Sequence, residues 1–430
     1  MNHSILSKEL TDKIPKIVKK NNGIYFTPIS CVNHTLELLE PHLRLLLSTI
    51  KGNVNVLEPS CGSGEYITAL NRAHPEFHIT GIEWNEVIYE NILQLGNENI
   101  SIQHADFLQF QPKIKYELII GNPPYYVMKK EEVDKKYYSY FEGRPNIFIL
   151  FIIKSLEMLS DHGILSFILP KNFLNCLYYD KTRQYINQHF EILHIMDCKD
   201  DKYIETQQDT ILLILQKLQP KPQPKPQPKP QPKTQRKLQP KPQPNERFIL
   251  QIHNYTIFVE EGKKGGVMDL YTNSKSLWDL GFKVSVGTVV WNQCKNILTH
   301  DQTKTRLIYS SDIVENQLVM KQYNNEEKKN FINKPGITRP MIVINRGYGV
   351  GEYQFHYCLI DEQKEYLIEN HLICIESRVD SPRDVLVAEY KKIIESLHDP
   401  RTTEFINLYF GNNAINTTEL NYILPIYQDI

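Results

Sequence analysis

The sequence predicts an α/β protein: a mostly parallel, Rossmann-like sheet with helices on both faces, followed by a C-terminal α+β domain. Three observations predict it. Short β-branched runs alternate with helix-spaced stretches as far as Lys217; a Gly-rich turn follows the first of those runs; and a Gln-Pro-Lys-Pro repeat separates this half from one that lacks the rhythm.

Asn53–Glu58 is a strand that stops at Pro59, and Glu65–Ala73 has helical spacing. His78–Glu83, Ile100–His104 and Tyr116–Gly121 read as further strands, and Phe148–Leu159 as a helix with apolar spacing. Ile164–Leu169, Ile192–Asp197 and Thr210–Leu215 complete the sheet. In such a sheet ligands sit at the carboxyl ends of the strands. From Gln219 to Pro244 alternate prolines block both helix and ladder hydrogen bonds, and the lysines keep the segment solvated, so 218–246 is expected to be an extended cationic spacer. The expected domains are therefore 1–217 and 247–430. In the second, Met341–Asn345 and Leu372–Glu376 read as strands and Val385–Leu397 as a helix.

The 430 residues are 41% hydrophobic, enough for two packed cores. The N-terminal stretch to Asn22 is polar and charged, unlike a secretory signal, and the most apolar run, Ile147–Ile153, is too short to span a bilayer. Seven scattered cysteines form no CxxC pair and no Cys/His ligand spacing, so no metal site and a reducing, cytoplasmic setting are expected. A net charge of −1 excludes a uniformly basic coat but leaves room for a local basic cleft.

Chemistry concentrates at the strand ends. In Glu58-Pro59-Ser60-Cys61-Gly62-Ser63-Gly64, between a strand and a helix, Gly62 and Gly64 let backbone approach a ligand closely. Glu83 closes the next strand, where a carboxylate can accept from both ribose hydroxyls. The spacing is not GxGxxG, and Glu58 would repel a pyrophosphate; an acidic turn suits a cationic ligand. Directly after the fourth strand stands Asn122-Pro123-Pro124-Tyr125. The Asn122 side-chain oxygen and the Pro123 carbonyl can accept from the two N–H bonds of an aromatic amine, with Pro124 stiffening the turn and Tyr125 offering a flat face for stacking.

These motifs resemble those of the gamma-class N6-adenine DNA methyltransferases, over residues of roughly 20–217 and more loosely beyond. Gly23-Ile24-Tyr25-Phe26-Thr27-Pro28 resembles the family's N-terminal cofactor motif, which implies that Thr27 contacts the methionine part of S-adenosylmethionine. The Glu58–Gly64 loop is similar to its Gly-rich motif and Glu83 to its ribose-binding acid. Ala105-Asp106-Phe107-Leu108 resembles the adenine clamp, with Asp106 accepting from the cofactor's amino group and Phe107 packing on its ring. Asn122–Tyr125 is similar to the catalytic motif, and Tyr203 is the candidate for a second aromatic against the target base, at a position where the family usually has phenylalanine. Val284–Asn292, Pro340–Arg346 and Asn421–Pro425 resemble its target-recognition domain, where Lys283, Lys295, Arg339 and Arg346 are candidate DNA contacts.

The resemblance implies a monomer acting on flipped adenine in double-stranded chromosomal or viral DNA, with S-adenosylmethionine as cofactor and no metal or membrane. It also allows a separate cognate restriction endonuclease as partner. An RNA-adenine or protein-glutamine methyltransferase can use the same Asn-Pro-Pro-Tyr, but Phe26-Thr27-Pro28 and the large second half favour DNA. A silent DNA-binding protein would have little reason to keep the motif intact. A nicotinamide oxidoreductase is disfavoured by the glycine spacing, and a fused nuclease by the lack of a PD…ExK cluster.

Overall fold

The computed structural model describes residues 2–50, 52–198, 203–206, 208–218, 244–323, 327–345, 356–410 and 416–430. The spacer expected at 218–246 lies almost wholly outside them, as does Arg346. The chain divides into two compact units, 1–251 with 255–264, and 252–254 with 265–430.

The first unit opens with three helices ahead of the first expected strand: α1 (Ile5–Lys13), α2 (Lys16–Asn22) and α3 (Ile29–Thr49). Ser4 caps α1 by accepting from the Ser7 N–H, and Pro15 and Pro28 stand just before α2 and α3, where a missing N–H costs nothing. Then come β1 (Asn55–Glu58), α4 (Glu65–Ala73), β2 (His78–Glu83), α5 (Glu86–Ile92), β3 (Ile100–His104), β4 (Tyr116–Gly121), α6 (Ile147–Met158), β5 (Leu159–Pro170), α7 (Asp180–His189), β6 (Phe190–Asp197) and β7 (Thr210–Lys217). The seven strands lie in the order β3-β2-β1-β4-β5-β7-β6. The first five run parallel, and β7 pairs antiparallel with both β5 and β6.

Side chains alternate across this sheet with the two-residue period of a strand. Leu57, Ile119 and Leu165 enter one apolar layer with Phe148 and the rest of α6. Their neighbours Val56, Leu118 and Ile164 enter the other, with Leu39 of α3 and Ile67 of α4. Both faces are thus covered, which is why the strands read as nearly continuous apolar runs.

The first unit extends past the expected boundary at 247. The Arg183 side chain of α7 is fully buried; its Nε donates to Thr256 O at 2.6 Å and its Nη1 to Phe173 O and Cys176 O, each at 2.8 Å. Asp180 accepts from the Thr256 N–H at 2.7 Å. These bonds draw in the hairpin of β8 (Ile249–Ile252) and β9 (Tyr255–Phe258), whose Phe258 joins the α6 layer. Arg183→Met would leave three carbonyls, two of them in buried contacts, without that donor, and a loss of about 3 kcal/mol is expected, read as a lower urea midpoint at unchanged slope.

The second unit is α+β. Phe282–Val286, Leu372–Ser377, Met341–Asn345 and Tyr357–Ile360 form an antiparallel sheet in that order, and Arg383–His398 is its longest described helix. Gly287 sits where a Cβ would come within 2.0 Å of Glu369 O, so only glycine fits there. Among the described residues no helix is long and apolar enough to cross a membrane.

Candidate active site

β1, β2 and β4 end on Glu58, Glu83 and Gly121, and the segments that follow surround a cavity of about 330 Å³. Gly62, Glu83, Asp106, Phe107, Asn122 and Pro124 all line it. Six residues scattered from 62 to 124 therefore converge at the carboxyl edge of the sheet.

The Gly-rich turn owes its shape to two left-handed residues, Gly62 (φ 50°) and Gly64 (φ 75°), the second of which starts α4. A Cβ on Gly64 would also meet Leu95 at 2.3 Å. Glu83 ties this turn to its own loop, accepting from Gly62 N–H at 2.9 Å and from Asn85 N–H at 2.8 Å. Burial raises its pKa above the ordinary carboxylate value, against those backbone donors.

Glu58 does not line the cavity. As the last residue of β1 it is buried behind the turn, beside Gly121, and its Oε2 has no hydrogen-bond partner. Burial, then the charges of Glu65 and Glu83, hold its carboxyl well above the usual range. Its chain neighbours Pro59 and Ser60, not Glu58 itself, line the cavity.

Asp106 is exposed at the cavity and its Oδ1 accepts from Leu108 N–H at 2.8 Å, starting a single 3-10 turn over Phe107–Gln109. Phe107 is buried in that turn, tilted against Phe151 at 4.8 Å between ring centres.

Asn122 is held on its nitrogen side. Its Nδ2 donates to Tyr25 O at 3.3 Å and to Thr27 Oγ1 at 3.2 Å, which leaves Oδ1 as the acceptor. The Tyr125 hydroxyl lies 2.6 Å from that Oδ1 and 2.8 Å from Ile168 O. Gly23 brings the N-terminal segment onto this loop: its φ is 63°, and a Cβ there would come within 2.5 Å of the Tyr125 backbone nitrogen.

Five expected site residues stand outside the cavity lining besides Glu58. Thr27 is buried and contacts Asn122; Gly64 and Pro123 stand beside lining residues in the chain; Tyr125 turns its hydroxyl back to Asn122; and Tyr203 is buried. Tyr203 is one of the neighbours that, after burial, keep the Tyr125 and Tyr66 phenols above the ordinary tyrosine value. Sequence reasoning missed Tyr126 and Trp84, which do line the cavity; each directly follows a motif residue, and that adjacency was the available signal. Among the described residues no group of three or more His, Cys, Asp or Glu could hold a metal ion.

Residues 41–204 match the family described as Eco57I restriction-modification methylase. The chain is 25% identical over 427 residues to Type II methyltransferase M.CvrRI of Paramecium bursaria Chlorella virus XZ-6E, covering 98% of each chain. It is 32% identical over 152 residues to Type II methyltransferase M.AccI of Acinetobacter calcoaceticus, covering 33% of this chain and 28% of that one. With Modification methylase CviBIII of Paramecium bursaria Chlorella virus NC1A the identity is 31% over 175 residues, 40% of this chain and 44% of the other. The chain thus spans M.CvrRI from end to end and less than half of the other two. In fold it is similar to a cryo-EM DrdV–DNA complex, with a TM-score of 0.54 at 13% identity over 99% of this chain and 57% of that one.

Proposed function

We propose that this chain, a DNA methyltransferase of the restriction-modification kind, moves a methyl group from S-adenosylmethionine to N6 of an adenine swung out of duplex DNA. The observation that supports this most is the Asn122 amide, whose nitrogen is engaged by Tyr25 and Thr27 so that its oxygen is an oriented acceptor. The Pro123 carbonyl follows it in the chain as a second acceptor.

An adenine amine is a weak nucleophile because its lone pair is delocalised into the ring. Two fixed acceptors drawing on its two N–H bonds favour a tetrahedral nitrogen with a localised lone pair, and they need no reorganisation at the moment of reaction. When bound, S-adenosylmethionine supplies the electrophile, a methyl carbon on a sulfonium. Glu83 would accept from its ribose hydroxyls and Asp106 and Phe107 would hold its adenine ring, while Glu58 stays behind the turn, outside the lining. The Tyr125 hydroxyl, now on Asn122 Oδ1, gives up that oxygen to the target amine, and its ring replaces the stacking that the base loses on leaving the duplex. Direct displacement then draws its rate from positioning.

The second unit reads the DNA sequence in this proposal. Lys283 and Lys295 pair with Glu376 and Glu327 at 3.0 and 3.1 Å. Half-exposed pairs of this kind are worth less than about 1 kcal/mol, so phosphates can compete for both lysines. The test is transfer of labelled methyl from S-adenosylmethionine to duplex DNA, structured RNA and mixed protein in parallel. Label in DNA alone is expected; label confined to RNA or protein contradicts the reading.

A further inference from the structure

We propose that Lys154, on the buried side of α6, is a positioning residue for the adenine end of the cofactor cavity: it holds the Asp106–Leu108 turn in the shape that grips the ring. This rests on assigning that cavity to S-adenosylmethionine.

In α6, Ile-Phe-Ile-Leu-Phe-Ile-Ile-Lys-Ser-Leu-Glu-Met, every residue but Glu157 is buried, and Lys154 is its one cation. A side chain of that length normally carries its ammonium out to water. Lys154 is only 3% exposed. Its Nζ donates to Leu108 O at 2.7 Å and stands 5.4 Å from the centre of the Phe107 ring. Asp106, Phe107, Leu108 and Phe151 all line the cavity, so this one ammonium underpins a continuous section of its wall.

The core offers Lys154 little in return. Among the described residues no carboxylate lies within ion-pairing distance of it, and a methionine would fill the same space without bringing a charge out of water. What methionine would lose is the donor to Leu108 O and the cation beneath the Phe107 ring. The charged groups that bear on it are Lys136, which disfavours its proton, and Asp106 and Glu157, which favour it. Burial dominates and pulls the ammonium down to about 8. Below that pH a charged donor braces the turn; above it a neutral amine donates more weakly and the attraction to the ring is gone. Affinity for an adenine-bearing ligand should therefore fall as pH rises through about 8.

Calorimetry on the full chain tests this with two probes. S-adenosylhomocysteine reports on the cavity assignment itself. 5′-Methylthioadenosine keeps the adenine and ribose but lacks the α-amino group, so the probe has nothing of its own to titrate in this range. For 5′-methylthioadenosine the wild-type chain is expected to lose about threefold to tenfold in affinity between about pH 7 and pH 9. K154M should bind it about tenfold more weakly at pH 7, with a flat pH profile, a melting temperature no lower than wild type and kcat unchanged at saturating cofactor. A purely structural lysine would instead lower the melting temperature and leave the pH profile in place. Wild-type affinity in K154M overturns the proposal, and so does a flat wild-type profile, which decides the matter even if K154M fails to fold. A wild-type chain that binds neither probe overturns the cavity assignment instead.

Discussion

Asn122→Ala is expected to cut methyl transfer about 100- to 1,000-fold while changing the affinity for S-adenosylhomocysteine by less than about twofold. The two halves of this result have different causes. Asn122 lines the cavity, but its nitrogen is spent on Tyr25 O and Thr27 Oγ1 and its oxygen on the Tyr125 hydroxyl, so the ligand of the resting site is not what holds it. In the proposed reaction its oxygen acquires a substrate partner only when the target amine arrives. Removing an acceptor that matters mainly in the transition state lowers kcat and kcat/KM together and spares ground-state cofactor binding. Truncation also frees the Tyr125 hydroxyl, which still has Ile168 O at 2.8 Å and so need not move. Single-turnover transfer to duplex DNA beside calorimetry with S-adenosylhomocysteine reads both halves; normal turnover would remove Asn122 from the chemistry.

Glu83→Ala is expected to act the other way, weakening cofactor binding about 10- to 100-fold, the worth of a hydrogen-bond pair to a buried carboxylate. Glu83 lines the cavity with both oxygens already oriented by Gly62 N–H and Asn85 N–H, so in the proposed function the substitution would remove a ligand contact and loosen the glycine turn at once. The effect on stability is smaller because two contributions oppose. Losing the two backbone bonds destabilises the fold. Against that, burial raises the folded-state pKa of Glu83 above its unfolded value. The unfolded chain therefore ionises first as pH rises, and ionised Glu83 costs stability at neutral pH that alanine recovers. Glu83→Gln, which keeps one acceptor, should fall between wild type and alanine in affinity. Unchanged calorimetric affinity in Glu83→Ala would take this residue out of the site.

The parallel strands were legible in the sequence because each is a short β-branched run bounded by turn residues. His78–Glu83, Ile100–His104 and Tyr116–Gly121 are strands over the ranges expected. The strand expected at Ile164–Leu169 begins instead at Leu159, since Ser160-Asp161-His162-Gly163 looks like a turn in isolation but continues the strand through a left-handed His162. Strand order was beyond reach: nothing in Thr210–Lys217 says that it inserts antiparallel between β5 and β6. The attachment of residues 255–264 to the first unit was equally hidden, because it depends on Arg183 finding Thr256 from 73 residues away.

For the site, Gly62, Glu83 and Asn122, read from their places at strand ends, line one cavity with Asp106 and Phe107, which the resemblance implied, since the carboxyl ends of parallel strands share one edge. What spacing did not reveal is which way a side chain turns. Tyr125 and Tyr126 are adjacent, yet Tyr126 lines the cavity while Tyr125 engages Asn122; Thr27 supports Asn122 instead of lining the cavity. Nor does the sequence reveal that the Lys154 ammonium is buried, because that is a property of the packed helix.

The most direct measurement is the identity of the modified nucleoside. Duplex DNA incubated with the chain and S-adenosylmethionine, digested to nucleosides and resolved by mass spectrometry, should contain N6-methyladenine, and the same digest from Asn122→Ala should contain almost none. N4-methylcytosine or 5-methylcytosine in its place, or N6-methyladenine at undiminished yield from Asn122→Ala, would contradict the role given to the loop at 122–125.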